Sequence, residues 1–99
     1  REAVDVFRRL AAARPDAYEG DLAGSLNNLG THLSSLGRIE EAIEAAREAV
    51  DVFRRLAAAR PDAYEGDLAG SLNNLGTHLS SLGRIEEAIE AAREAVDVF

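Results

Sequence analysis

Few side chains in this chain can do chemistry. His32 and His78 are its only histidines, and it has no cysteine, so a metal site would need both imidazoles with carboxylate support. Glu40, Glu41 and Glu44 are its tightest group of acids, and Glu40 and Glu44 share one side of any helix that carries them. Paired carboxylates are the raw material of acid–base catalysis. Thr31, Ser34 and Ser35 bring hydroxyls, but no base stands near them in the sequence, and a hydroxyl nucleophile needs one within hydrogen-bond reach. A neutral set remains: Asn27, Asn28, Thr31 and Ser35, recurring as Asn73, Asn74, Thr77 and Ser81. A carboxamide offers two donors and an acceptor together. These side chains suit hydrogen bonding, not bond breaking.

The recurrence extends to the whole chain. Arg1–Ala46 is repeated without change at Arg47–Ala92, and Arg93–Phe99 begins a third copy, giving 99 residues. A period of this length indicates a solenoid or array. Residues 1–99 therefore read as one segment of such an array, with repeats at 1–46 and 47–92 and a partial copy at 93–99. Because Arg1 and Phe99 both fall inside a helical pattern, the expectation is a piece of a longer array whose caps lie elsewhere.

Within a copy, Leu22, Leu26, Leu29, Leu33 and Leu36 recur at steps of three and four, the mark of one apolar helix face. This predicts a first helix over Asp21–Leu36, with Asp21 as N-cap and Gly37 as the residue that ends it. Gly24 and Gly30 inside it cost roughly 1 kcal/mol each against alanine, which implies a packing reason, with Gly30 admitting a neighbouring helix. A second helix runs from Ile39 to Ala59. Its apolar face carries Ile39, Ala42, Ile43, Ala46, Ala49, Val50, Phe53, Leu56 and Ala57, and its other face carries acids and arginines. Glu44 with Arg47, and Asp51 with Arg54 or Arg55, are favourable pairs along it. Pro61 stops this helix. The link Pro61–Gly66 reads as a proline-started turn that breaks at Gly66 before the next first helix. The repeat thus alternates a short helix with a long one. Leu29, Leu33, Ile43, Phe53 and their copies are the expected core.

With helices in place, the chemistry thins further. Copies stacked as helix pairs stand roughly 10 Å apart, too far for His32 and His78 to share a metal at ligand distances of about 2 Å. The glutamates sit beside arginines at helical spacing, as solvated faces do. No strand precedes a glycine-rich loop, so no phosphate cradle is expected. The chain is read as no enzyme, with no cofactor and no metal. A net charge of −7 disfavours nucleic acid and anionic membrane surfaces, and no apolar run approaches the ~20 residues of a membrane span. The absence of cysteine and of any signal-like segment suggests a cytoplasmic setting.

Leu26, Leu29, Gly30, Leu33, Gly37, Ile39, Ala42, Ala46 and Ala49 follow the spacing of the tetratricopeptide (TPR) helix pair. The segment LNNLGTHLSSLGRIEEAIEAAREAV covers about half of each copy and resembles most the long-repeat branch typified by kinesin light chains, with its Leu-Asn-Asn-Leu first helix and RPD-like link. The usual TPR period is about 34 residues, and the extra length here lies in Phe53–Arg60 and PDAYEG. The motif's aromatics are replaced by Leu26, Leu33, Ile39 and Ala46. The resemblance implies an all-α fold, a right-handed α-solenoid of stacked antiparallel helix pairs. It also implies that first helices line a concave groove in which an asparagine at the place of Asn28 bonds a bound peptide; in the alternative, structural reading, Asn27 and Asn28 bond neighbouring helices or loops and hold the rotation between repeats. Members that clamp a peptide carboxylate use cations on this helix. Gly24, Asn27, Asn28 and Thr31 supply none.

Two uses follow. One is a binding scaffold for a protein or peptide, with Asn27, Asn28, Thr31, Ser35, Asn73, Asn74, Thr77 and Ser81 as the groove. The other is a self-assembling module, because identical copies can stack head to tail between molecules. For the second, the expected sticky ends are Val4, Phe7 and Leu10 at the start and Val96 and Phe99 at the finish.

Overall fold

Proline sets where the first helix of each repeat begins. The structure, a computed structural model, describes residues 1–98. Phe99, expected as an exposed end group, lies outside the described residues. Five helices follow in order: α1 (Glu2–Ala13), α2 (Pro15–Ser35), α3 (Ile39–Ala59), α4 (Pro61–Ser81) and α5 (Ile85–Val98). Each packs against the next, and α2 also touches α4. The result is an all-α array of stacked helices, without a strand among the described residues.

The expected break at PDAYEG is absent. Pro15 and Pro61 occupy the first helical position, where a missing N–H is no loss and the ring presets φ. Arg14 and Arg60 before them are extended, at φ −141° and −139°, as a residue preceding proline prefers. The Asp16 and Asp62 carboxylates lie in the first turn, where the helix dipole favours them. The helix then runs unbroken through Gly20 and Gly66, so Asp21 is an interior residue and no N-cap. Both helices of a repeat are 21 residues long, and the alternation of short and long is corrected to equal lengths.

The turn after each first helix is as read. Gly37 and Gly83 have φ of +79° and +83°, open to glycine at no steric cost. The amide of Arg38 donates to the Leu33 carbonyl at 2.9 Å and that of Gly37 to Ser34 at 3.0 Å. This double closure satisfies carbonyls that the helix end would leave bare.

The core differs from the expected list in an instructive way. Leu33, Ile43, Phe53, Leu75 and Leu79 are buried, but Leu29 is only partly buried and Ile89, the copy of Ile43, is 47% exposed. Val96 is exposed, whereas its copy Val50 is fully buried. Identical residues differ because burial here comes from the next helix in the stack: Ile43 and Val50 of α3 belong to a cluster with Leu68, Leu72 and Leu75 of α4. Leu36 and Leu82 close the stripe in sequence but stand exposed at the turn. Near the start, Val4 is buried and Phe7 and Leu10 half-buried, against the expectation of bare apolar ends, while Val6 is exposed.

Alternate helices of the stack meet along two ladders. On the first-helix side, Tyr64 lies over Gly20, Ser71 donates to Asn27 Oδ1 at 2.9 Å, and His78 lies against Gly30. These three side chains are seven residues apart, two turns of helix, so they form one row on α4. A Cβ on Gly20 would lie 3.4 Å from the Tyr64 hydroxyl, and one on Gly30 would lie 3.3 Å from the Ala42 carbonyl oxygen and 3.5 Å from His78 Nε2. Gly30 thus fits a close approach on two sides. Gly24 and Gly70 face open space, so the packing reason expected for Gly24 does not exist. On the second-helix side, Arg1 bonds Glu41, Arg8 bonds Glu48, Arg47 bonds Glu87 and Arg54 bonds Glu94.

Three substitutions separate these roles. Gly30→Leu should destabilise by about 1–3 kcal/mol through overpacking. Gly70→Ala should stabilise by roughly 0.5–1 kcal/mol, since it gains helix propensity in open space. Leu75→Ala should cost about 2–5 kcal/mol. Denaturant titration of the three variants checks the signs, and a stabilising Gly30→Leu would refute the close-approach reading.

Candidate functional site

The groups able to do chemistry are dispersed. His32 is exposed on α2, while His78 is buried between repeats with neither ring nitrogen hydrogen-bonded. Burial pushes the His78 imidazole below its ordinary value. Among the described residues, no group of three His, Cys, Asp or Glu side chains is placed to hold a metal ion.

The glutamates of α3 divide by partner. Glu41 accepts from Arg38 and Arg1, and the Arg38 hydrogen bond is the main force holding its carboxyl below the usual range. Arg84 does the same for Glu87, and Arg54 for Glu94. Glu40 and Glu44 are exposed. Glu41, Glu87 and Glu94 thus serve ion pairs on the surface.

Of the ion pairs expected along the second helix, Asp51–Arg54 is present at 3.3 Å. Arg47 and Arg55 turn elsewhere: Arg47 reaches Glu87 on α5 and Arg55 reaches Glu19 on α2. The sequence did carry a signal for the pairs between α3 and α5. Arg47 and Arg54 are spaced by seven, and so are Glu87 and Glu94, so two helices lying side by side in that register match both.

The neutral set is the one that gathers. Asn28, Thr31 and Ser35 on α2 are exposed, and so are Asn74, Thr77 and Ser81 on α4. Spaced by three and four, each triplet occupies one side of its helix. The two helices touch, which makes the triplets parallel rows. Thr31 Oγ1 donates to the Asn27 carbonyl at 3.2 Å and Ser35 Oγ to the Thr31 carbonyl at 3.1 Å, with the same bonds at Thr77 and Ser81. A hydroxyl whose proton is committed to its own helix presents only lone pairs outward. The rows are therefore rich in acceptors, and the Asn28 and Asn74 amides add donors. Between Leu22 and Gly37 the sole titratable residue is His32, so the surface is close to uncharged.

Asn27 and Asn73 stand apart from the rows. Asn27 is half-buried and its oxygen is taken by Ser71. Asn73 has the same sequence context but is exposed, beside a hollow lined by Gly76, Thr77, Ser81, Ala88 and Ala92. Its counterpart in the first repeat, at Gly30 and Ala42, is closed by His78.

Comparison with known families matches residues 21–99 to the model described as tetratricopeptide repeat. No curated protein matches the chain. The Asn27–Ser71 hydrogen bond and the exposed asparagines are expected to respond differently to truncation. Ser71→Ala strands a half-buried carboxamide oxygen and should cost about 1 kcal/mol. Asn28→Ala and Asn74→Ala should stay within about 0.5 kcal/mol of the parent. Urea midpoints measure both, and an equal loss at all three sites would deny the distinction.

Proposed function

The chain belongs to the tetratricopeptide repeat family, and we propose that it is a non-catalytic scaffold whose Asn28 and Asn74 rows hold an extended peptide or protein segment. The observation that carries this reading is the pair of exposed, uncharged rows on α2 and α4. An extended backbone offers a donor and an acceptor at every residue. Outward-facing hydroxyl oxygens accept from its N–H groups, and the carboxamides bond either group. Without a cation in the rows, a free carboxylate has no clamp, so an internal segment fits better than a chain terminus. The 46-residue period and the Leu-Asn-Asn-Leu core further lead us to place the chain with the long-repeat variety resembling kinesin light chains.

Panning a random peptide library on the protein tests the reading. Binders should protect Asn28, Thr31, Asn74 and Thr77 in amide-shift mapping, and the double variant Asn28→Ala/Asn74→Ala should weaken them at least about tenfold, or ~1.4 kcal/mol. Binders that map to the Arg–Glu face of α1, α3 and α5 instead would overturn it.

A second reading, self-assembly, is favoured by one observation. Ile89 and Val96 are exposed on the same face with which α3 buries Ile43 and Val50 against α4. The surface that fits this face is another copy of the Pro15–Ser35 helix, and head-to-tail stacking would supply it. In the internal register, however, Arg93–Phe99 of one molecule and Arg1–Phe7 of the next are the same seven residues of the repeat, and both cannot occupy one place. A 99-residue polypeptide should therefore associate weakly, and removal of Arg93–Phe99 should strengthen association. Sedimentation over a range of concentrations reads this directly, and strict monomers in both forms would exclude stacking.

A further inference from the structure

His78 occupies an unusual place for a titratable side chain. It is 5% exposed, and Nδ1 and Nε2 both lack a hydrogen-bond partner among the described residues. It lies where α4 meets α2, against Gly30, which in turn packs on the Ala42 carbonyl of α3. A neutral imidazole there leaves a donor and an acceptor dry. An imidazolium would leave two donors and a full charge dry, a far larger cost.

His78 stands in the last turn of α4, where the helix dipole favours a cation, but no charged side chain adds to that help. On α4 no other titratable residue lies between Asp67 and Arg84. On α2 the only one between Asp21 and Arg38 is His32, itself exposed. On α3 the charged residues flanking Ala42 and Ala45 are Glu41, bound to Arg38 and Arg1, and exposed Glu44. On α5 Glu87 is bound to Arg84 and Arg47. None bonds the ring.

We propose that the α2–α4 junction is a proton-sensitive hinge, in which a proton taken from water by His78 loosens the contact of α4 on Gly30. Proton uptake and opening are linked because only the open junction hydrates the charged ring. The direction follows from the lowered value caused by burial. The closed junction keeps its full stability above the ordinary histidine value of 6.5. It loses stability as pH falls below that value, because the open form then binds the proton more tightly. The arginine–glutamate ladder responds in a lower range. Glu41, Glu87 and Glu94 are held below the usual carboxylate value, so what they contribute is lost only as pH falls below about 4.5. The hinge depends on no ligand and stands apart from the groove reading. Its effect is to alter how α2 and α4 sit relative to each other.

The repeat itself supplies the control. His32 has the same sequence neighbours as His78 but is exposed. The experiment follows the imidazole Cε1 protons and amide protection factors along α2 and α4 by NMR, from about pH 8 to 5, where carboxylates stay largely ionised. His78 should titrate below 6.5, and protection around Gly30 and Leu72 should fall severalfold over the same pH interval. His78→Gln should abolish the pH dependence of protection, and His32→Gln should leave it intact. Titration of His78 at or above 6.5, or acid-driven loss of protection that survives His78→Gln, would overturn the hinge. If His78→Gln fails to fold, coincidence of the two midpoints in the parent chain decides alone: separate midpoints reject the proposal.

Discussion

A chain made of identical copies must fit itself. The surface by which α4 meets α2 has to be written into one 46-residue sequence as both the inserting and the receiving side. The solution is to place Tyr64, Ser71 and His78 in one row and to set Gly20, Asn27 and Gly30 opposite them. Two of these partners are glycines in helix interiors, where they weaken the isolated helix. The loss is offset because closer approach brings leucines of α4 onto Ile43 and Val50 of α3. Most helix stability in proteins comes from such packing and not from propensity. The remaining features of the fold follow from this demand, including the twin 21-residue helices and the full burial of one copy of a residue whose other copy is exposed.

The arginine–glutamate ladder works alongside with different physics. Arg54 and Glu94 approach to 2.6 Å, but both side chains are more than a third exposed. Water and salt screen such pairs, and each is worth at most about 1 kcal/mol. Their value lies in register. Pairs recur every two helical turns at Arg47–Glu87 and Arg54–Glu94, and a slide of α5 along α3 by one turn would break both. Packing supplies the energy of the stack, and the ladder selects its alignment.

The division of the first helix into two faces is equally physical. Asn27 and Asn28 are adjacent in sequence and about 100° apart around the helix. One therefore meets the next repeat and the other meets solvent. Neutrality of the exposed rows matters as much as their hydrogen-bonding groups. In a chain of net charge −7, a surface without charge is one where a peptide of any sign can approach without a desolvated ion. The charge lies on the second helices, in the links between helices and in the first two turns of the first helices, away from the rows.

The sequence by itself determined the helical class, the period, the turn at Gly37 and the second helix from Ile39 to Ala59, because each depends on residues within one repeat. Spacing of three and four and a glycine at positive φ are local facts. It also pointed to the neutral polar set, since absence of charge is readable from composition. It misjudged PDAYEG because Gly20 and Gly66 carry a strong local signal for a break. Only the approach of Tyr64 to Gly20 explains a glycine kept inside a helix. It could not separate Asn27 from Asn28, Gly24 from Gly30, or His32 from His78. Those distinctions arise where one repeat presses on another. The tertiary structure decided them because burial belongs to the junction between copies, and a sequence in which every copy is identical contains no mark of which one has a neighbour.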